Sequence, residues 1–163
     1  SSDNWHCRSI YQSMVNYFDL IVGNITAKLK ANGQWDNTLI VFSADNGGEE
    51  RLDETAANNF PWRGGKFVPF EGGVRVNGFV SGGYLPQSRR GQVENGRVHI
   101  CDWYSTFCNL AGLDPTDKRA EAAGLPPLDS LNMWPMVSGE NTTSPRTWIA
   151  VDDNTLIEGD YKL

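Results

Sequence analysis

"NTLIVFSADNGG", residues 37–48, decides the architecture of this chain. Residues 38–44 form an almost unbroken apolar run, bounded by Asn37 and Asp45. A strand covered on both faces reads this way, because neither side of its pleat meets water. Upstream, Tyr11, Val15, Phe18, Val22, Ile25 and Leu29 recur at helical spacing through residues 10–30. That period predicts an amphipathic helix, and Ala31-Asn32-Gly33 supplies the chemistry of a C-cap. A long helix running directly into a buried strand predicts α/β layering. The expected fold is α/β, part of a mixed and mostly parallel sheet flanked by helices.

The end of the run is where chemistry can enter. A loop after a strand lies at the carboxyl edge of the sheet, where open α/β folds gather their ligand sites. Asp45 offers a hard anionic oxygen and Asn46 a neutral one, a pair suited to Ca²⁺ or Mg²⁺. Gly47 and Gly48 let the backbone turn sharply and a ligand approach. The competing reading is a plain Asx-Gly turn. An EF-hand is excluded, since its D-x-[DN]-x-[DN]-G spacing is absent.

Residues 46–73 show little periodicity, and nine of the 17 glycines fall between Gly47 and Gly83. A loop approaching 30 residues is ordinarily functional or disordered. The aromatic anchors Phe60-Pro61-Trp62, Phe67 and Phe70 argue for order. Within it, Arg63-Gly64-Gly65-Lys66 sets two cations beside two glycines, able to present charge and N–H groups to an oxyanion. It is not a P-loop, which would need Gly at Phe60 and Ser or Thr at Phe67. A solvated basic turn is the alternative. Glu71 and Arg75 flank Gly72-Gly73 and read as an ion pair holding the loop.

Farther along, residues 74–80 predict a strand that Gly78 weakens, and residues 98–110 a helix ended by Ala111-Gly112. Residues 114–136 read as a Pro-rich connection with a short helical piece at 118–123. Residues 148–151 and 155–163 predict a C-terminal β-hairpin joined by Asp152-Asp153-Asn154. No repeat or domain boundary is visible, so 1–163 reads as one segment, and its termini (SSDNWHCRSI and DYKL) read as cut from a longer polypeptide.

A net charge of −6 and a pI near 4.8 argue against a nucleic-acid binder, which needs a basic face. No apolar run approaches the ~18–20 residues that span a bilayer. Of Cys7, Cys101 and Cys108, the last two lie ~10.5 Å apart along a helix, too far for a mutual disulfide. No CxxC suggests zinc. The sequons at Asn24 and Asn141 fit a secretory route, hence a secreted or lysosomal location.

Taken in order, the helix, "NTLIVFSADNGG", "RGGK", "EGGVRVNGFV", "HICDWYSTFCNLAG", "LNMWPMVSGE", "SPR" and "EGDYKL" resemble the sulfatase family of the alkaline-phosphatase-like superfamily, arylsulfatase B type. The resemblance covers most of the chain. It implies that Asp45 and Asn46 ligate the active-site divalent cation, usually Ca²⁺, and that Lys66 contacts the substrate's sulfate. It gives Glu71, Gly72, Gly73 and Arg75 a mainly architectural role, and some members carry a sequon where Asn24 stands. The partner it implies is a sulfated small molecule or sulfated glycan.

The family's nucleophile is a hydrated formylglycine made from Cys in Cys-x-Pro-Ser-Arg. No such motif occurs here: Cys7-Arg8-Ser9 lacks the proline and the order. The paired upstream aspartates and the sulfate-contacting histidine are also missing, and His6 does not match the latter. The resemblance is thus to the C-terminal half of a catalytic domain. It is expected to be inactive alone and completed by the remainder of its polypeptide. A non-catalytic sulfatase-like structural or binding protein is the alternative. A two-metal phosphohydrolase fits less well, since only His6 and His99 are present.

Overall fold

The structure, a computed structural model, describes residues 2–50 and 56–163. The stretch 51–55 of the glycine-rich loop lies outside the described residues. The chain divides into two compact units, Ser1–Leu85 and Pro86–Leu163.

The first unit opens with α1 (Ser2–Ala31), longer than its apolar period requires. Gly33 ends it at φ 65°, where Gln34 N–H reaches back to the Leu29 carbonyl at 3.0 Å. This is the left-handed cap that Ala31-Asn32-Gly33 predicts. A 3-10 turn, Trp35–Asn37, then leads into β1 (Ile40–Ser43). Phe18 of α1 lies over Phe42 of β1 with ring centroids 5.5 Å apart.

The partner of β1 differs from expectation. β1 pairs antiparallel with β2 (Gly78–Ser81), in the register Ile40↔Ser81 through Ser43↔Gly78. Among the described residues both sheets are antiparallel, so the mixed, mostly parallel sheet is not formed within this chain. An apolar run reports how a strand is covered, not which strand it pairs with or in which direction. Here the long loop returns the chain against β1 head to tail. Phe42 and Phe79 face each other across the register as a stacked pair, 5.1 Å between centroids. Cross-strand aromatic pairs of this kind stabilise a ribbon by roughly 0.2–1 kcal/mol. β2 begins four residues later than residues 74–80 suggest, because residues 71–74 wind into the single helical turn α2 (Glu71–Val74).

The second unit is built around α3 (Asp102–Leu110) and α5 (Trp134–Ser138), with the short helix α4 (Lys118–Ala122) between them. Asp117 caps α4, its Oδ1 accepting from the N–H groups of Arg119 and Ala120 at 3.0 Å each. Met133 and Met136 are fully buried, beside Thr106 and Asp102. The expected hairpin forms as β3 (Trp148–Asp152) and β4 (Thr155–Glu158). A third short strand, β5 (Tyr161–Lys162), folds back on β4 after a turn at Gly159 with φ 51°.

Candidate functional site

The strand end and the basic turn meet in the first unit. Asp45 and Asn46 follow β1 directly. Asp45 Oδ1 accepts the Asn46 N–H at 2.9 Å, and Asn46 Nδ2 donates to the Gly47 carbonyl at 2.8 Å. Both bonds reach only the next residue, so the Asx-Gly turn of the competing sequence reading, which needs a bond two residues on, is not what forms here, and the pair is only partly used. Among the described residues no hydrogen bond reaches Asp45 Oδ2 or Asn46 Oδ1. Two hard oxygens on adjacent residues are thus left for a cation. Among the described residues no three His, Cys, Asp or Glu side chains cluster to hold a metal. Ca²⁺ takes about 6–8 oxygens, so the pair fits such an ion in chemistry and would supply only part of its shell.

Glycines allow the next layer to close. Gly47 N–H bonds the Gly73 carbonyl at 2.8 Å, and Lys66 N–H bonds the Gly48 carbonyl at 3.0 Å. A Cβ on Gly47 would run into the Gly72 carbonyl, so only glycine permits this approach. The glycine pairs 47–48, 64–65 and 72–73 therefore stack on one another. The turn at 63–66 is locked from its other side by Gly72 N–H on the Arg63 carbonyl at 2.9 Å. Phe67, next to Lys66, stands at φ 74°. A non-glycine residue there costs roughly 1–3 kcal/mol, a strain that tends to gather at functional sites.

Lys66 lines a cleft of about 330 Å³, shared with Arg63, Glu49, Glu50 and Phe70. Its Nζ lies 5.1 Å from the centre of the Phe67 ring, and the Arg63 guanidinium 4.1 Å from that of Phe70. Asp45 and Asn46 lie outside the walls of this cleft. Glu71 and Arg75 form the anticipated ion pair at 3.9 Å across α2, and Arg75 also stacks on Trp62 at 4.3 Å. The pair is solvent-exposed, so its contribution is small. Asn24, on α1, and Asn141 are both exposed.

Two residues of consequence carry no signal in the sequence. Asn59 bonds both loops of the site through its carboxamide. Arg146 is 3% exposed and grips Asp102 with two bonds, Nε–Oδ2 at 2.7 Å and Nη2–Oδ1 at 2.5 Å. Its Nη1 also meets Asp129 Oδ1 at 3.1 Å. These carboxylates raise the guanidinium's affinity for its proton further above the ordinary value. Burial, and next the Asp102 carboxylate, push the neighbouring Cys101 thiol up as well, so it is held as a neutral thiol. This network is structural and lies in the second unit. "SPR" gives a lone arginine after a proline, and only the fold reveals its partners.

The chain is similar to known proteins in sequence and in fold. The family model described as Sulfatase matches residues 1–113. Arylsulfatase J of Mus musculus is 35% identical over 148 residues, spanning 86% of this chain and 23% of that protein. N-acetylgalactosamine-6-sulfatase of Sus scrofa is 31% identical over 141 residues, covering 85% and 25%. Among solved structures, the PsFucS1 sulfatase from Pseudoalteromonas sp. superposes with a TM-score of 0.70 at 33% identity, covering 88% of this chain and 28% of that one. Ps i-CgsB, in complex with a neocarrahexaose, gives 0.75 at 30% identity, covering 96% and 34%. This chain spans about a quarter of the length of those two curated relatives. With more than half its length matched by the family model, the chain belongs to the sulfatase family.

Proposed function

We propose that these residues form part of the active site of an arylsulfatase-type sulfuric ester hydrolase. The observation that carries the reading is the hydrogen bond from Lys66 N–H to the Gly48 carbonyl. It ties the turn bearing the sulfate-contact lysine to the loop bearing Asp45 and Asn46. In this reading Asp45 and Asn46 hold one divalent cation, Ca²⁺, through their outward oxygens. A bound cation of this kind neutralises ester oxygens and stabilises the leaving oxygen.

The chain's own residues do the rest of what it contributes. Lys66 sets an ammonium against the sulfate, where negative charge must be stabilised as the S–O bond breaks. The Gly48 and Gly73 carbonyls hold the two loops in register, so neither must reorganise during reaction. The nucleophile, a formylglycine, and the further acidic ligands are assigned to the remainder of the polypeptide. The substrate is a sulfated small molecule or a sulfated glycan, and the neighbour that holds a neocarrahexaose supports the glycan. The exposed sequons at Asn24 and Asn141 support a glycosylated protein that is secreted or lysosomal.

The test is turnover by the full-length protein on paired aryl sulfate and aryl phosphate esters. Hydrolysis of the sulfate in clear preference is expected. Preference for the phosphate would replace the reading with a phosphohydrolase. Absence of turnover on either would favour a non-catalytic, sulfatase-like binding protein.

A further inference from the structure

We propose that Asn59 is a positioning residue for Lys66, fastening the turn at 63–66 to the loop that carries Asp45 and Asn46. The inference rests on the sulfatase reading above. Asn59 is half-buried between the two segments. Its Oδ1 accepts the Gly48 N–H at 2.8 Å, and its Nδ2 donates to the Gly48 carbonyl at 2.9 Å and to the Gly64 carbonyl at 3.1 Å.

The geometry is specific to a carboxamide. Both faces of the Gly48 peptide edge are read at once, one donor and one acceptor, as a neighbouring strand would read them. The second Nδ2 hydrogen is then spent on Gly64. Gly48 stands two residues after Asn46, and Gly64 two before Lys66. One planar group thus sets the separation of the two halves of the site. Lys66 N–H shares the same Gly48 carbonyl, so the lysine's backbone is registered against the atom that Asn59 holds. Asn59 lies outside the cleft walls, so its effect is exerted through the segments it fastens, and the Gly48 carbonyl it shares with Lys66 N–H makes Lys66 the group on which that effect converges. A displacement of about 1 Å in a catalytic group can cost about 10²-fold in rate.

Neither obvious replacement keeps the fastening. Asn59→Ala removes all three bonds. Asn59→Asp is nearly isosteric and retains the acceptor for Gly48 N–H, but it turns a carboxylate oxygen toward two carbonyls that need donors.

The experiment is a double-mutant cycle on the full-length protein, reading kcat on an aryl sulfate for wild type, Asn59→Ala, Lys66→Ala and the double variant. Thermal unfolding first establishes that each is folded at the assay temperature. Asn59→Ala is expected to lower kcat by ~10–10²-fold. The same change made on Lys66→Ala is expected to cost less than ~3-fold, because the positioned group is gone and the effects no longer add. An equal loss in both backgrounds overturns the proposal, since a merely structural role would cost the same with or without Lys66. Asn59→Asp, which also serves where Asn59→Ala does not fold, is expected to lose as much. Wild-type kcat in Asn59→Asp overturns the proposal too. A silent Asn59→Ala beside a damaging Lys66→Ala overturns this inference alone, whereas a silent Lys66→Ala overturns the assignment of Lys66 as the sulfate contact with it, and turnover of neither sulfate nor phosphate overturns the sulfatase reading itself.

Discussion

Asp45 and Asn46 show how far a single residue type can be read. Their oxygens at the end of an apolar run suggested a cation, and more readily a simple turn. The structure ties the two side chains only to the next residue's backbone and leaves Asp45 Oδ2 and Asn46 Oδ1 without a hydrogen bond among the described residues. These local bonds orient the pair that a cation would use. Asp45→Ala in the full-length protein is expected to weaken Ca²⁺ binding by at least ~10-fold, since loss of even an outer-shell partner costs about 10–100-fold. Calcium titration checks this, and unchanged affinity would remove Asp45 from the metal site. The turn at 63–66 was legible from its two glycines and two cations, whereas a sulfate contact for Lys66 came only from the resemblance. Asn59 was not. It bonds residues five and eleven positions away through backbone groups, and no period or motif encodes such bonds.

At the scale of elements, what was legible is what local chemistry specifies. The period of residues 10–30 and its glycine cap gave α1, and Asp152-Asp153-Asn154 gave the hairpin of β3 and β4. Misjudgements came where a distant partner decides. The run at 38–44 could not say that its neighbour would be antiparallel. The helix expected from residue 98 starts at Asp102 instead, where Asp102 Oδ2 accepts the His99 N–H at 2.7 Å and closes a turn before it. α5 was hidden among prolines, although Pro135 sits at its first turn, where a proline is tolerated. The second unit's elements are joined by Arg146, which links α3 to the start of β3 through the buried Asp102. Arg146→Ala leaves that carboxylate buried and unpaired. The expected loss is about 3–5 kcal/mol, the usual cost of removing one partner of a buried pair. Urea unfolding of the second unit measures it, and a loss below ~1 kcal/mol would mean that water replaces the guanidinium.

For the whole molecule, α1 is the most informative feature. Its stripe was expected to be buried, yet Tyr11, Val15, Phe18 and Ile25 remain exposed, and so do Met14, Tyr17 and Leu20 off the stripe. The two-stranded ribbon of β1 and β2 is too narrow to cover a 30-residue helix. Apolar surface on both sides suits a helix packed between layers. The chain spans about a quarter of the length of those curated relatives. In the proposed hydrolysis Lys66 stabilises the sulfate of the ester. The most direct test of this role is kcat on an aryl sulfate for the full-length protein and for Lys66→Ala, side by side. A fall of roughly 10²–10³-fold is expected, the scale for losing one oxyanion-stabilising group. Wild-type turnover in Lys66→Ala would contradict it.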